Sequence, residues 1–272
     1  MKTLIKVDTH AHIFSLPKTL VEGARYRPDA DALLDDYLAN LDQHGVDYGV
    51  LVQPSFLGVD NAQMLDAIAR QPKRLKGIAV LPLDTDISTL VTLASQGIVG
   101  ARLNLFGKPL PDFKLPVWQR FLAVLGDQGW QLELHCPPAY LRVLLPALHD
   151  YAGPVVIDHF GRPDPQKGTN DEDYQAVLDL LDPSMHWIKV SGYYRLGTGE
   201  RGCHHAQEAY RQLVEKGMGH RLVWGSDWPH TQHGDQVNYD ASVRFLDSLV
   251  SDATTRMQIL GENALNLFNF AP

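Results

Sequence analysis

Cysteine is almost missing from this chain: Cys136 and Cys203 are the only two among 272 residues. Two thiols cannot form a disulfide framework, and these are not spaced as a zinc ribbon, so both are expected to be reduced. Basic charge is also in deficit. Lys and Arg number 24 against 32 Asp and Glu, giving a formal net charge of −8 and a pI near 5.8. That balance supplies no face able to neutralise phosphates, which disfavours nucleic acid as a partner. No stretch approaches the roughly 18 apolar residues of a membrane helix, and Lys6 and Asp8 interrupt any apolar segment of an export signal. A cytoplasmic protein without membrane contact is expected, with small molecules as partners. No repeat, low-complexity tract or linker stands out, and nothing bears on oligomeric state. A hydrophobic content of 44% over this length can bury one large core, so residues 1–272 are read as one domain.

What is present is an alternation. Eight short β-branched or apolar runs stand at LIKVD (4–8), YGVLVQ (48–53), GIAVL (77–81), VGARLN (99–104), QLELHC (131–136), PVVIDH (154–159), WIKVSG (187–192) and RLVWGSD (221–227). Between them lie segments with helical spacing, such as DALLDDYLANLDQHG, which opens on acidic residues and ends on Gly45, and NAQMLDAIARQP, which opens on Asn and stops at proline. Strand and helix in strict turn predict an α/β protein with a parallel sheet. Eight such units favour a closed (β/α)8 TIM-type barrel over an open doubly wound sheet, although the two share local signals.

In such barrels the reacting groups project from the C-terminal ends of the strands. Around that rim the sequence places His10 and His12, Gln53 and Ser55, Arg102 and Asn104, His135, Asp158 and His159, Ser191 with Arg195, and Asp227 with Trp228 and His230. Each has an ordinary structural alternative. A histidine at a strand end is commonly just hydrogen-bonded, Arg102 is free to form an ion pair, and Asp227 after Ser226 suits the cap of a following helix. His10 and His12 are harder to dismiss. Two imidazoles on one strand face are seldom needed for packing, whereas metal coordination or polarisation of a carbonyl needs convergent nitrogens.

VDTHAH, GARLNLFGK, VVIDHFGRPD, IKVSGYYR and VWGSDWPH occur in this order over nearly the whole chain. With them the sequence resembles the amidohydrolase superfamily, and within it the 2-pyrone-4,6-dicarboxylate hydrolases and related sulfomuconolactone hydrolases, which are lactonases of aromatic-acid breakdown. The resemblance implies an amidohydrolase-like barrel and a lactone hydrolase of the carboxylic-ester class. It implies that Asp227 takes a proton from the attacking water, and that His10, His12 and His159 polarise the lactone carbonyl without a metal or other cofactor. It further implies that Arg102 and Arg195 hold substrate carboxylates, with Tyr26 and Ser55 as further substrate contacts; His135, at the same rim, is also expected to contact the substrate. Lys108, six residues after Arg102, is expected to bring a third charge to the pocket mouth, where the family is expected to carry arginine.

The chemistry is consistent with that assignment. A dianionic substrate approaching an acidic protein needs local cations, and a guanidinium meets a carboxylate with two parallel hydrogen bonds. A competing reading keeps the same residues and adds one zinc on His10, His12, His135 and Asp227, leaving a position for water. The metal-dependent relatives, including the aromatic-acid decarboxylases, use that pattern. Arg102 at the end of strand four would repel a second cation, so a binuclear site is not expected. A non-catalytic barrel that binds an aromatic acid would need the arginines but not the convergent Asp227 and histidines. Cys136 and His135 are adjacent on a strand and face opposite ways, so no cysteine nucleophile is expected. The CHH triplet at 203–205 is read as the beginning of the helix after strand seven. The loops PSFLGVD, GRPDPQKGTND and GTGERG are candidate lids.

Overall fold

The computed structural model describes residues 5–270 and shows eight parallel strands in sequence order, alternating with helices. The strands are β1 (Val7–Ala11), β2 (Tyr48–Val52), β3 (Leu75–Ala79), β4 (Ile98–Asn104), β5 (Gln131–His135), β6 (Val155–Ile157), β7 (His186–Val190) and β8 (Leu222–Trp224). Helices α1 (Leu34–Gln43), α2 (Ala62–Arg70), α3 (Ile87–Ser95), α4 (Pro116–Asp127), α5 (Pro138–Ala147), α6 (Glu172–Leu180), α7 (Glu200–Glu215) and α8 (Tyr239–Leu249) each follow a strand, and α9 (Ala253–Met257) and α10 (Asn263–Phe268) end the chain. This is the expected (β/α)8 barrel. Every expected run overlaps a strand, displaced by two residues at most at its start except for the first. The first run was expected from Leu4, which lies outside the described residues, and its strand begins at Val7. Helix α7 contains the CHH triplet but begins at Glu200, three residues before the expected start at Cys203.

Strand alternation builds two different interiors. On β5, Leu132 and Leu134 join the main core between strands and helices, so Gln131, Glu133 and His135 face the barrel axis. Low in the barrel that axis is apolar: Val50, Ile78, Val156 and Val223 pack there against Leu267 and Phe268 of α10. Higher up it is charged, a departure from the branched aliphatic layers that usually fill such barrels.

The circle closes where β8 meets β1. The Asp227 N–H donates to the His10 carbonyl (2.8 Å) and the His12 N–H to the Trp228 carbonyl (2.8 Å). Buried Asp8 completes the joint by accepting from the Ser226 N–H (2.8 Å) and the Ser226 hydroxyl (2.7 Å). The first and last motifs of the sequence, VDTHAH and GSDWPH, are thus one structural unit. Gly225 is required there, since a Cβ on it would lie 2.6 Å from His10 Cβ and 2.9 Å from His10 N.

Candidate active site

At the C-terminal end of the barrel a cavity of about 260 Å³ is lined by His12, Tyr26, Ser55, Arg102, His135, His159, Arg195 and Asp227, all named from the sequence. His10 lies beneath it, fully buried, with its ring 5.0 Å from His12 and 4.9 Å from His159. Pro54 and Ser55, Pro165, and Gly197 with Thr198 bring the three candidate lid loops to the same cavity.

Asp227 is not a helix cap; that role at α8 falls to Asn238, whose side chain accepts from the Ala241 N–H. Asp227 sits at φ +61°, where the chain turns sharply after β8 and aims its carboxylate inward. One oxygen is occupied: Oδ2 accepts from Tyr194 Oη (2.7 Å) and Arg195 Nε (2.5 Å). The other, Oδ1, is buried and has no hydrogen-bond partner, 3.6 Å from His12 Nε2 and 3.9 Å from His10 Nε2. Burial opposes the charge on Asp227, but Arg195 and the histidines outweigh it and hold the carboxyl well below the usual range. It is therefore ionised at neutral pH. Burial also keeps the neighbouring imidazoles neutral: His159 is lowered to about 3, and His10 and His135 lie well below the ordinary value.

The ring of cations differs from expectation in its membership. Lys108 is exposed and does not line the cavity, because the FGK turn after β4 carries it outward. Arg25 and Arg162 are there instead, both against Phe106, their guanidinium carbons 5.8 and 4.7 Å from its ring centre. Arg162 is the harder to see in a sequence. It follows a run of left-handed residues, with His159, Phe160 and Arg162 at φ 50°, 58° and 54°, which folds DHFGR back over the cavity. Its signal was the DHFGRP motif, but strand-end logic weighs only the first two of those residues. Arg102 reaches the cavity yet is already paired: Nη2 and Nε meet Asp158 Oδ2 at 2.6 and 3.0 Å, and Nε lies 3.2 Å from Glu133 Oε1.

Asp158 and Glu133 belong to a charged layer directly under the cavity. Lys189 of β7, fully buried, contacts Glu133 Oε2, lies 3.2 Å from His10 Nδ1 and 3.9 Å from Asp158 Oδ1. Burial raises Glu133 to about 7, with Asp158 adding to the effect. Burial acts likewise on Asp158, but Arg102, His10 and Lys189 outweigh it and keep that carboxyl low. Glu133 and Lys189 were not anticipated, because single charged residues inside ELH and IKV runs look like solvent-facing strand positions.

A metal would find candidate ligands in two groups, His10 with His12 and Asp227, and His10 with Asp158 and His159, whose ligand atoms lie within 4.8 Å of one another. His135, expected in the zinc set, belongs to neither group among the described residues; its ring instead lies tilted against Phe106 and edge-on to His159. His12 has the right posture for a ligand, since its Nδ1 donates to the Val52 carbonyl (2.7 Å) and leaves Nε2 with a lone pair. Asp227 Oδ1 is also open. Whether His10 Nε2 completes the set depends on which of its ring nitrogens carries the hydrogen.

The chain is similar throughout to known lactonases. It is 30% identical to 4-sulfomuconolactone hydrolase of Rhizobium radiobacter over 96% of this chain and 89% of the relative. It is 30% identical to 2-pyrone-4,6-dicarboxylate hydrolase of Comamonas testosteroni, over the same shares. A crystal structure from Acinetobacter baumannii, of a "probable 2-pyrone-4,6-dicarboxylic acid hydrolase" with citric acid bound, superimposes with a TM-score of 0.96 at 50% identity, covering 97% of this chain and 99% of that one. Residues 7–270 match the amidohydrolase family model, so the chain belongs to the amidohydrolase family.

Proposed function

We propose that this protein hydrolyses the ring ester of a small anionic lactone, with 2-pyrone-4,6-dicarboxylate as the first candidate. The observation that carries the reading is Asp227 Oδ1, ionised, buried and unpartnered, opposite His10 and His12 in a cavity lined by Arg25, Arg102, Arg162 and Arg195. Those arginines reverse the field of an acidic protein locally and offer forked donors to carboxylates.

In the proposed reaction, water lies between Asp227 Oδ1 and His12 Nε2, both hydrogen-bond acceptors. This revises the role expected of His12: a neutral ring that donates from Nδ1 cannot also donate from Nε2 to a carbonyl. The water oxygen bonds to the lactone carbonyl carbon as one proton passes to Asp227. His10 and His159 face the developing oxyanion. The tetrahedral intermediate then collapses, the ring C–O bond breaks, and the leaving oxygen takes the proton from Asp227. A strongly ionised carboxylate is a weak base. It suffices because an ester conjugated to an electron-poor ring is a good electrophile.

The test is direct. Mixing the protein with 2-pyrone-4,6-dicarboxylate should abolish the ring's ultraviolet absorbance. Asp227→Asn should lower kcat by roughly 10²–10⁴, the range of a positioned base, while calorimetry still detects binding. Binding without turnover by the unaltered protein would sink the hydrolase reading. A second reading rests on the His10, His12 and Asp227 group, where a divalent ion would supply an activated water. We expect full turnover after exhaustive dialysis against EDTA; loss restored by zinc would favour the metal.

A further inference from the structure

Lys189 is a fully buried lysine that the proposed reaction does not use. Its ammonium contacts Glu133 Oε2 and lies 3.2 Å from His10 Nδ1 and 3.9 Å from Asp158 Oδ1. An ammonium has three N–H groups and no lone pair, so it can only donate. A hydrogen bond at the 3.2 Å contact makes His10 Nδ1 the acceptor and puts the hydrogen of the neutral ring on Nε2. The other acceptors near Nδ1 are Asp158 Oδ1 (3.4 Å) and Glu133 Oε1 (3.9 Å), both farther than Lys189 Nζ and neither within hydrogen-bond geometry. His10 Nε2 is buried and likewise unpartnered, on the side of the ring that faces Asp227 and the cavity.

We infer that Lys189 is a positioning residue that holds His10 in its Nε2–H form, making it a hydrogen-bond donor to the reacting carbonyl rather than a metal ligand. His10 and His12 then have opposite polarity. His12 is held by a carbonyl at Nδ1 and accepts at Nε2; His10 is held by an ammonium at Nδ1 and donates at Nε2. One serves the water and the other the oxyanion. A histidine that carries hydrogen on Nε2 has no lone pair there for a cation, so the three-residue group lacks its third ligand. The catalytic consequence rests on the proposed hydrolysis, whereas the tautomer itself does not.

The tautomer can be read without turnover. Long-range proton–nitrogen correlation spectra of the full chain with labelled histidines distinguish a protonated from an unprotonated ring nitrogen. His10 is assigned by the signals lost in His10→Asn. We expect Nε2 protonated and Nδ1 bare in the native protein, unchanged by an equimolar amount of zinc. Lys189→Met, which keeps the length and removes the ammonium, should move the hydrogen to Nδ1, where Asp158 Oδ1 can accept it. It should lower kcat on the lactone by roughly 10²–10³, the scale of one lost oxyanion donor, with KM little changed. Lys189→Arg should restore the native tautomer. A bare Nε2 in the native protein, its deprotonation by zinc, or an unchanged tautomer in folded Lys189→Met would each overturn the inference. Should the variants not fold, neutron diffraction from a perdeuterated native crystal locates the same hydrogen. If the native protein opens no lactone, the function proposed above falls while the tautomer test still stands.

Discussion

Lys108 and Arg162 carry the same charge and differ in where the backbone sends them. Lys108 is exposed outside the cavity, so Lys108→Ala should change KM for a dicarboxylate lactone by less than about twofold, as for most surface charges. Arg162 lines the cavity, partly buried, with its Nη1 donating to the Arg195 carbonyl (2.8 Å). Burial lowers it to about 10, with Arg195 adding to the effect, which leaves it charged at neutral pH. Removing a charge-assisted contact of about 1.5–3 kcal/mol should raise KM roughly 10- to 100-fold in Arg162→Met, measured by steady-state kinetics. Equal KM values for the two variants would contradict the placement. Arg162 was illegible as a site residue because its direction comes from the left-handed turn at 159–162, which no strand periodicity predicts.

At the scale of elements, the site depends on how the chain leaves β6, β7 and β8. All three strands end before the reacting residue, and the turn that follows orients it: His159 and Asp227 both have positive φ. Gly192, just past β7 at φ +59°, leaves room for both side chains. A Cβ there would lie 2.9 Å from His159 Nδ1 and 3.0 Å from Asp227 Oδ2. Gly192→Ala should therefore displace the base and a histidine together, lowering kcat at least tenfold. It should also cost about 1–2 kcal/mol of stability for the left-handed alanine and the crowding. Denaturant unfolding and kinetics on one preparation check both effects. Native activity in that variant would show that the turn does not hold the site.

The molecule as a whole should be sensitive to acid. His10, His135, His159 and His230 are buried, and each has its pKa lowered first of all by burial. A lowered histidine contributes stability that is complete above its unfolded value near 6.5 and is lost as pH falls below it, because the unfolded chain then binds more protons. Glu133, raised to about 7, works the other way: its contribution is present below the ordinary glutamate value of 4.5 and fades as pH rises through 7. Four histidines outnumber one glutamate, and each net proton changes stability by up to about 1.4 kcal/mol per pH unit. The urea midpoint should accordingly fall between about pH 7 and about pH 5; a constant or rising midpoint would contradict the neutral histidines.

The alternation of strand and helix, the barrel it implies, and His10, His12, His159, Arg195 and Asp227 as a converging set were legible in the residues alone. Local hydrophobic periodicity specifies elements, and barrel topology sends every strand's C-terminal end to one rim. Three matters were decided only by the tertiary structure. Arg25 and Arg162, not Lys108, complete the cationic wall, because loop direction is set by turns and packing. Arg102 is shared with Asp158 and Glu133. Lys189 reaches across the barrel axis to His10, 179 residues away in the chain. Period and composition describe neighbours along a chain; a buried charge network exists only once distant strands have brought its members within hydrogen-bonding reach.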